Sequence, residues 1–283
     1  MMRKHLACAV VGLTLFCGCG GGAKPASQKQ VGWDPEPVAT EKVETDVTSV
    51  VISEPRLEAV PMQSEPGDAD FPRGSVAFAE LVKAAQTNDG DGWNKAETKL
   101  HDLGAGATAA LAARLDDENP VARELAAMFL SQIGPDAASA AKGLLKLLSD
   151  ESTFARVNAA AALSTFDGYA DQTAPILTEL LSDPDENVRL TAATSLRNVG
   201  PAAAKSVAAL AQTLGDPNPQ VRAATATTLG SLGSTAVNSL PALRRLGTDS
   251  DETVATAASQ AIRLIAEAAR ERNPVAIPAS ATE

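Results

Sequence analysis

The chain has 283 residues with 35 acidic and 24 basic side chains, a formal net charge of −11. Such a balance repels phosphate backbones and anionic membrane surfaces, which argues against general nucleic-acid binding. Aromatic residues make up only 3%, poor material for a thick globular core, whereas the abundant alanine of the C-terminal two-thirds suits thin, closely packed layers.

At the N-terminus, Met1 to His5 forms a short basic region, and Leu6 to Phe16 is an apolar run of eleven residues. A bilayer span needs about 20 apolar residues, so this run predicts a cleaved export signal. The three cysteines, Cys8, Cys17 and Cys19, all lie here. Cleavage before Cys19 leaves one cysteine in the mature chain, so no intramolecular disulfide is inferred. The sequence Phe16-Cys17-Gly18-Cys19 resembles a bacterial lipoprotein signal, in which a small apolar box precedes the cysteine that becomes acylated. Gly18 and Cys19 fit the pattern; Phe16 departs from it. The resemblance implies a signal peptide over 1–18, lipidation at Cys19, and an exported protein lipid-anchored in the bacterial cell envelope. The alternatives are an ordinary secretory signal and an uncleaved N-terminus.

Residues 19–75 predict an acylated N-terminus followed by a disordered linker. From residue 20 onward the segment holds seven prolines, Pro25 to Pro72, with ten acidic and five basic residues (10 − 5, net −5) and one leucine, Leu57. It cannot bury enough apolar surface to offset its chain entropy. A coil of this length has an r.m.s. span of roughly 40 Å, a leash between membrane and domain. Val47 to Ile52 could form a short strand or a docking peptide, but plain linker is the simpler reading.

From residue 76 the pattern changes. Asp117, Asp150, Asp183, Asp216 and Asp249 stand 33 apart, and Arg123, Arg156, Arg189 and Arg222 each follow their aspartate by six. Leu111, Leu144, Leu177, Leu210 and Leu243 keep the same interval, as do Leu130, Leu163, Leu196, Leu229 and Ile262. Within one unit, Ile176, Leu177, Leu180 and Leu181 mark a helical stripe that Pro175 could open. Ser182 to Asp185 makes a turn. Val188, Ala192, Leu196 and Val199 mark a second stripe, ended by Gly200-Pro201. Each unit is therefore expected to be helix A, a tight turn, helix B and a Gly-Pro corner. A single helix pair cannot bury both stripes, so neighbours must stack. The expected fold is an all-α solenoid of about five helix pairs over 76–272. A degenerate N-terminal helical cap (Phe78, Leu81, Val82, Ala96, Leu100, Leu103) precedes them, with Trp93 at the arginine position, and a disordered tail over 273–283 follows. The last unit is also atypical, with Ala255 at its arginine position.

The Asp-Pro turn, the Val-Arg start of helix B, the Ala192-Ala193 and Ala159-Ala160 pairs and the Gly-Pro ending resemble HEAT repeats, in particular the short bacterial class of the phycobilisome lyases. Ankyrin's Thr-Pro-Leu-His opening and the aromatic positions of tetratricopeptide repeats are absent. The resemblance implies a structural ladder of ion pairs and hydrogen bonds through Asp117, Asp150, Asp183 and Asp216 with Arg123, Arg156, Arg189 and Arg222.

Catalytic chemistry is hard to assemble from what remains. His101 is the one histidine of the mature chain, and no cluster has zinc or iron spacing. Gly104-Ala105-Gly106 lacks the lysine and the strand of a phosphate loop, and no nucleophile has a histidine base. Trp33 and Tyr169 offer no stacking platform for bases or bilins. No catalytic, metal or cofactor site is therefore expected. The exposed side of helix B, which in the family lines the concave face, leaves a candidate binding surface: Glu124, Met128, Ser131, Leu190, Thr194, Arg197, Thr227, Ser231, Gln260 and Arg263. The expected function is a membrane-anchored, non-enzymatic scaffold that holds a protein or peptide partner. The rivals are a lyase- or hydroxylase-related enzyme or chaperone and a self-assembling envelope component.

Overall fold

The computed structural model describes residues 70–272. The export signal, Cys19, residues 20–69 and the 273–283 tail lie outside the described residues. Among the described residues the secondary structure is helical throughout, with no strand.

Two helices form the cap, α1 (Asp70–Thr87) and α2 (Gly90–Leu103). Phe78, Leu81, Ala96 and Leu100 are buried between them and the first full unit. The cap begins earlier than composition suggests, because α1 takes in residues 70–75. Gly74 in its first turns lies so close to the first full unit that an added Cβ would meet Ala110 Cβ at 2.9 Å. Trp93 does not act as a ladder residue; its indole N–H donates to Glu97 within α2 (3.0 Å).

Five helix pairs follow. The A helices are α3 (Thr108–Ala112), α5 (Ala141–Leu147), α7 (Ala170–Leu180), α9 (Val207–Thr213) and α11 (Leu240–Leu246). The B helices are α4 (Pro120–Ile133), α6 (Thr153–Leu163), α8 (Glu186–Val199), α10 (Pro219–Ser231) and α12 (Glu252–Arg272). Every B helix starts alike. Asn119, Ser152, Asp185, Asn218 and Asp251, again 33 apart, each accept a backbone N–H of the first turn in their side chains. Such caps satisfy donors that a helix start otherwise leaves open.

The core runs between the stripes. Leu111, Leu144, Leu177, Leu210 and Leu243 of the A helices are fully buried, as are Leu130, Leu163, Leu196 and Leu229 of the B helices. Ala127, Ala160, Ala193 and Ala226 are buried at one repeated position, where a small side chain lets adjacent B helices approach. The last unit departs from this. Ser259 occupies the alanine position and is exposed, and Ile262 is only half-buried. With no further unit among the described residues to cover that side, α12 keeps only the stripe that the other B helices bury too: Val254, Ala258, Ala261 and Ile265, at the positions of Val188, Ala192, Ser195 and Val199, with Ala269 beyond them.

The corners also differ from expectation. Gly104, Gly134, Gly200 and Gly233 end their helices at positive φ and lead into 3-10 segments. Such backbone favours glycine because a Cβ would clash. In the second unit, however, Asp167 occupies the glycine position, and the positive φ falls one residue later at Gly168. No 3-10 segment follows. Instead α7 starts early, at Ala170, so Pro175 lies inside the helix rather than opening it. Only the first and third units carry the full Gly-Pro corner, because Gly233 is followed by Ser234.

Candidate functional site

The repeated carboxylates are clamped first by their own turns. Oδ1 of Asp117, Asp150, Asp183, Asp216 and Asp249 accepts the N–H two residues on, at 2.8–2.9 Å in all five. This holds the turn that presents the N-cap of each B helix.

Arginine then ties one unit to the next. Arg123 donates through Nε and Nη2 to both oxygens of Asp150, at 2.7 and 3.1 Å. Arg189 does the same to Asp216 at 2.6 and 3.0 Å, and Arg222 to Asp249 at 2.9 and 2.8 Å. The Nη1 of each arginine donates backwards to the backbone carbonyl of its own unit's aspartate, Asp117, Asp183 and Asp216. One guanidinium thus reads a carbonyl six residues behind and a carboxylate 27 ahead. Such fork-to-fork pairs are stronger and more directional than neutral hydrogen bonds. The guanidinium side chains are 12–14% exposed and the carboxylates 5–9%, so solvent screens these pairs far less than a surface ion pair.

The electrostatics follow. Burial pushes the Asp150 carboxyl up, but hydrogen bonds from Arg123 and the Ser152 N–H together outweigh it and hold it below the ordinary range. The Arg222 hydrogen bond, opposed by burial and helped by the Asp251 N–H, lowers Asp249 in the same sense. Arg123 and Arg189 are raised, chiefly by their hydrogen bonds to Asp150 and Asp216.

The predicted ladder is not complete. Arg156 donates to the carbonyls of Asp150 and Glu151 and to Thr153 Oγ1, at 2.8, 3.2 and 3.0 Å, and no ion pair joins it to Asp183. At the start of the array, Asp117 is met instead by Arg114 of its own unit, at 3.5 Å.

The candidate binding face divides. Met128 is a core residue, 1% exposed, and part of the buried cluster of the N-terminal units. Glu124 accepts a hydrogen bond from Ser152 Oγ, and its carbonyl accepts one from Asn158 Nδ2, so it binds the next unit. Ser131, Thr194, Thr227 and Ser231 donate to carbonyls of their own helices. Leu190 is half-buried. Arg197, Thr227, Ser231, Gln260 and Arg263 are exposed, and Arg263 lies 4.0 Å from Glu267. Asn198 is exposed beside Arg197 and belongs with them. The N-cap series is the main structural set missed from the sequence, although its 33-residue interval makes it readable there.

His101 packs edge-on to Phe129, with ring centroids 6.0 Å apart. Among the described residues, no group of three or more His, Cys, Asp or Glu side chains is placed to hold a metal ion.

No curated protein matches the sequence. Among solved structures, a designed armadillo repeat protein in complex with the peptide (KR)4 superposes with a TM-score of 0.51 at 18% identity, over 69% of this chain and 99% of that one. The karyopherin Kap121p, bound to the extreme C-terminus of the protein phosphatase Cdc14p, gives 0.54 at 16% identity. That match covers 72% of this chain and only 26% of the karyopherin. The CpcE–CpcF complex of phycocyanin lyase from Nostoc sp. PCC7120 gives 0.48 at 24% identity, over 56% of this chain and 65% of that one. At such identities the first two likenesses speak to fold alone. The HEAT repeats profile matches residues 108–197 and 173–263, together more than half of the 283 residues. The helix pairs, their period and this match agree: the chain belongs to the HEAT-repeat family.

Proposed function

We propose that this protein is a lipid-anchored, non-catalytic scaffold of the bacterial cell envelope that holds a protein or peptide partner along its B helices. One observation carries the reading. The repeated charged residues are consumed by turns and ladder rungs, while Arg197, Asn198, Thr227, Ser231, Gln260 and Arg263 remain exposed on successive B helices. A row of polar side chains on a stacked array suits an extended partner better than a small substrate. The designed armadillo protein and the karyopherin, each solved with a peptide or protein segment bound, support this use of the fold. The anchor is inferred from Cys19 and the apolar run before it. The proposed attachment is through acyl chains on Cys19. Stable attachment takes more than one such chain.

Two measurements test this. Affinity capture from envelope extract should retain a partner on the wild-type protein and lose it on an Arg197→Glu/Thr227→Glu/Gln260→Glu variant. Equal retention by both would remove the B-helix face from the reading. Cys19→Ser should move the protein from the membrane pellet to the soluble fraction. Wild-type protein without a lipid adduct by mass spectrometry would end the anchor proposal.

A further inference from the structure

We propose that the solenoid is hinged between its second and third units, dividing the described domain into two cooperative bodies, 70–169 and 170–272. The proposal rests on the fold and is independent of the partner reading.

Four observations converge on this seam. The first is the missing rung. The other three unit-to-unit junctions each carry a doubly hydrogen-bonded Arg–Asp pair, but here Arg156 turns its second nitrogen to Thr153 Oγ1. The cause is local: Pro120, Glu186, Pro219 and Glu252 occupy the Thr153 position in the other units, and none of them offers a hydroxyl there. The second is the core. Buried side chains fall into two clusters, one ending with Ala162, Leu163 and Phe166, the other running from Val157 and Ala160 to Ile265. They meet across α6, where Val157, Ala160 and the half-buried Phe154 belong with the second cluster, and Leu148 is the one half-buried side chain packed against both. The third is the helix seam, where the B helices α6 and α8 lie against each other less extensively than α4 with α6, α8 with α10 or α10 with α12. The fourth is the corner. Ser164 to Tyr169 replaces the 3-10 corner found at the other junctions, with Phe166 packed edge-on to Tyr169. The proline within α7 removes one backbone donor from that helix.

In a stacked array each unit holds only its neighbours, so the junction with fewest ties opens first. Bending at this seam changes the angle between two rigid plates of the B-helix face, the first ending with α6 and the second beginning with α8. A ligand lying across both plates selects one angle.

Hydrogen exchange of the full chain at increasing denaturant, read by mass spectrometry, tests the hinge. The slowest amides of α4 and α6 and those of α8, α10 and α12 should form two sets, with rates about tenfold or more apart and a border between residues 163 and 175. One common set across both bodies would overturn the proposal. The variants Asp183→Asn and Asp216→Asn keep the oxygen that clamps each turn and remove the charge. Asp216→Asn should accelerate exchange in α8 and α10 by about tenfold, whereas Asp183→Asn should leave α6 and α8 within about twofold of wild type. Equal acceleration by the two variants would show that the second junction is tied like the others, and would overturn the proposal.

Discussion

Two side chains show how unevenly single positions carry this fold. The guanidinium of Arg189 satisfies a backbone carbonyl of its own unit and both oxygens of Asp216 in the next. Arg189→Ala leaves a largely buried carboxylate without its counter-charge and should cost about 1.5–3 kcal/mol. Arg156→Ala, which breaks no ion pair, should cost less than half as much; equal losses in urea melts would refute the rung assignment. Thr225 is the opposite case. It stands at the Ala126, Ala159 and Ala192 position, fully buried, and its hydroxyl has no hydrogen-bond partner. Thr225→Ala should therefore leave stability unchanged or raise it by up to about 1 kcal/mol, readable as a higher urea midpoint.

The carboxylates set a pH dependence at the same scale. Asp150 and Asp249 titrate below their ordinary value in the folded chain. Between the folded and the ordinary value, about 3.9, the unfolded chain binds more protons, so stability rises with pH across that window and is lost as pH drops through it. Above it the contribution is fully present. The gap in urea midpoint between wild type and Asp249→Asn should be widest at neutral pH and shrink as pH drops below about 4. A gap that stays constant to pH 3 would mean that Asp249 is not held in its charged form by Arg222.

At the scale of the element, position in the array decides the effect of truncating a core side chain. Leu196 in α8 is fully buried between neighbours, and Leu196→Ala should cost roughly 2–5 kcal/mol. Ile262 occupies the same repeated position in α12 but is half-exposed, so Ile262→Ala should cost about 1 kcal/mol or less. This difference was readable from the sequence, because the last unit is atypical, with Ala255 at its arginine position. The helix pairs, the A-helix leucines and the forward aspartates were equally legible, each repeating with one phase. Met128 was not. Period places it on the outer side of its helix, at the position of the exposed Thr227 and Gln260, yet it belongs to the buried N-terminal cluster. Nor was the competition of Thr153 for Arg156, which depends on side-chain reach rather than on residue type. The corner at 164–169 escaped because the glycine slips by one residue, and one residue is enough to turn a 3-10 segment into an early helix start.

At the scale of the whole molecule, the domain boundary follows from packing. Asp70 to Gly74 belongs to α1, and Gly74 lies against Ala107 and Ala110. A protein beginning at residue 68 should keep the melting midpoint of the full chain. One beginning at residue 76 removes the first turns and should melt lower, by about 2–4 °C for each kcal/mol lost. Calorimetry of the two would decide where the folded part starts. A drop on removing residues 1–67 would show that the preceding segment packs on the array.

The direction of the rungs has a consequence for how such a gene can lengthen. Arg123, Arg189 and Arg222 each look back six residues and forward 27, so a connection is specified entirely within one period. A second copy of residues 184–216 inserted after Asp216 brings Arg189 and Asp216 with it and reproduces both halves of the connection on either side. Copying the final unit does not, because Ala255 supplies no guanidinium and Ser259 presents a hydroxyl where close approach uses alanine. Tandem duplication can therefore enlarge this array from within, whereas accretion at its C-terminal end adds a unit that nothing ties.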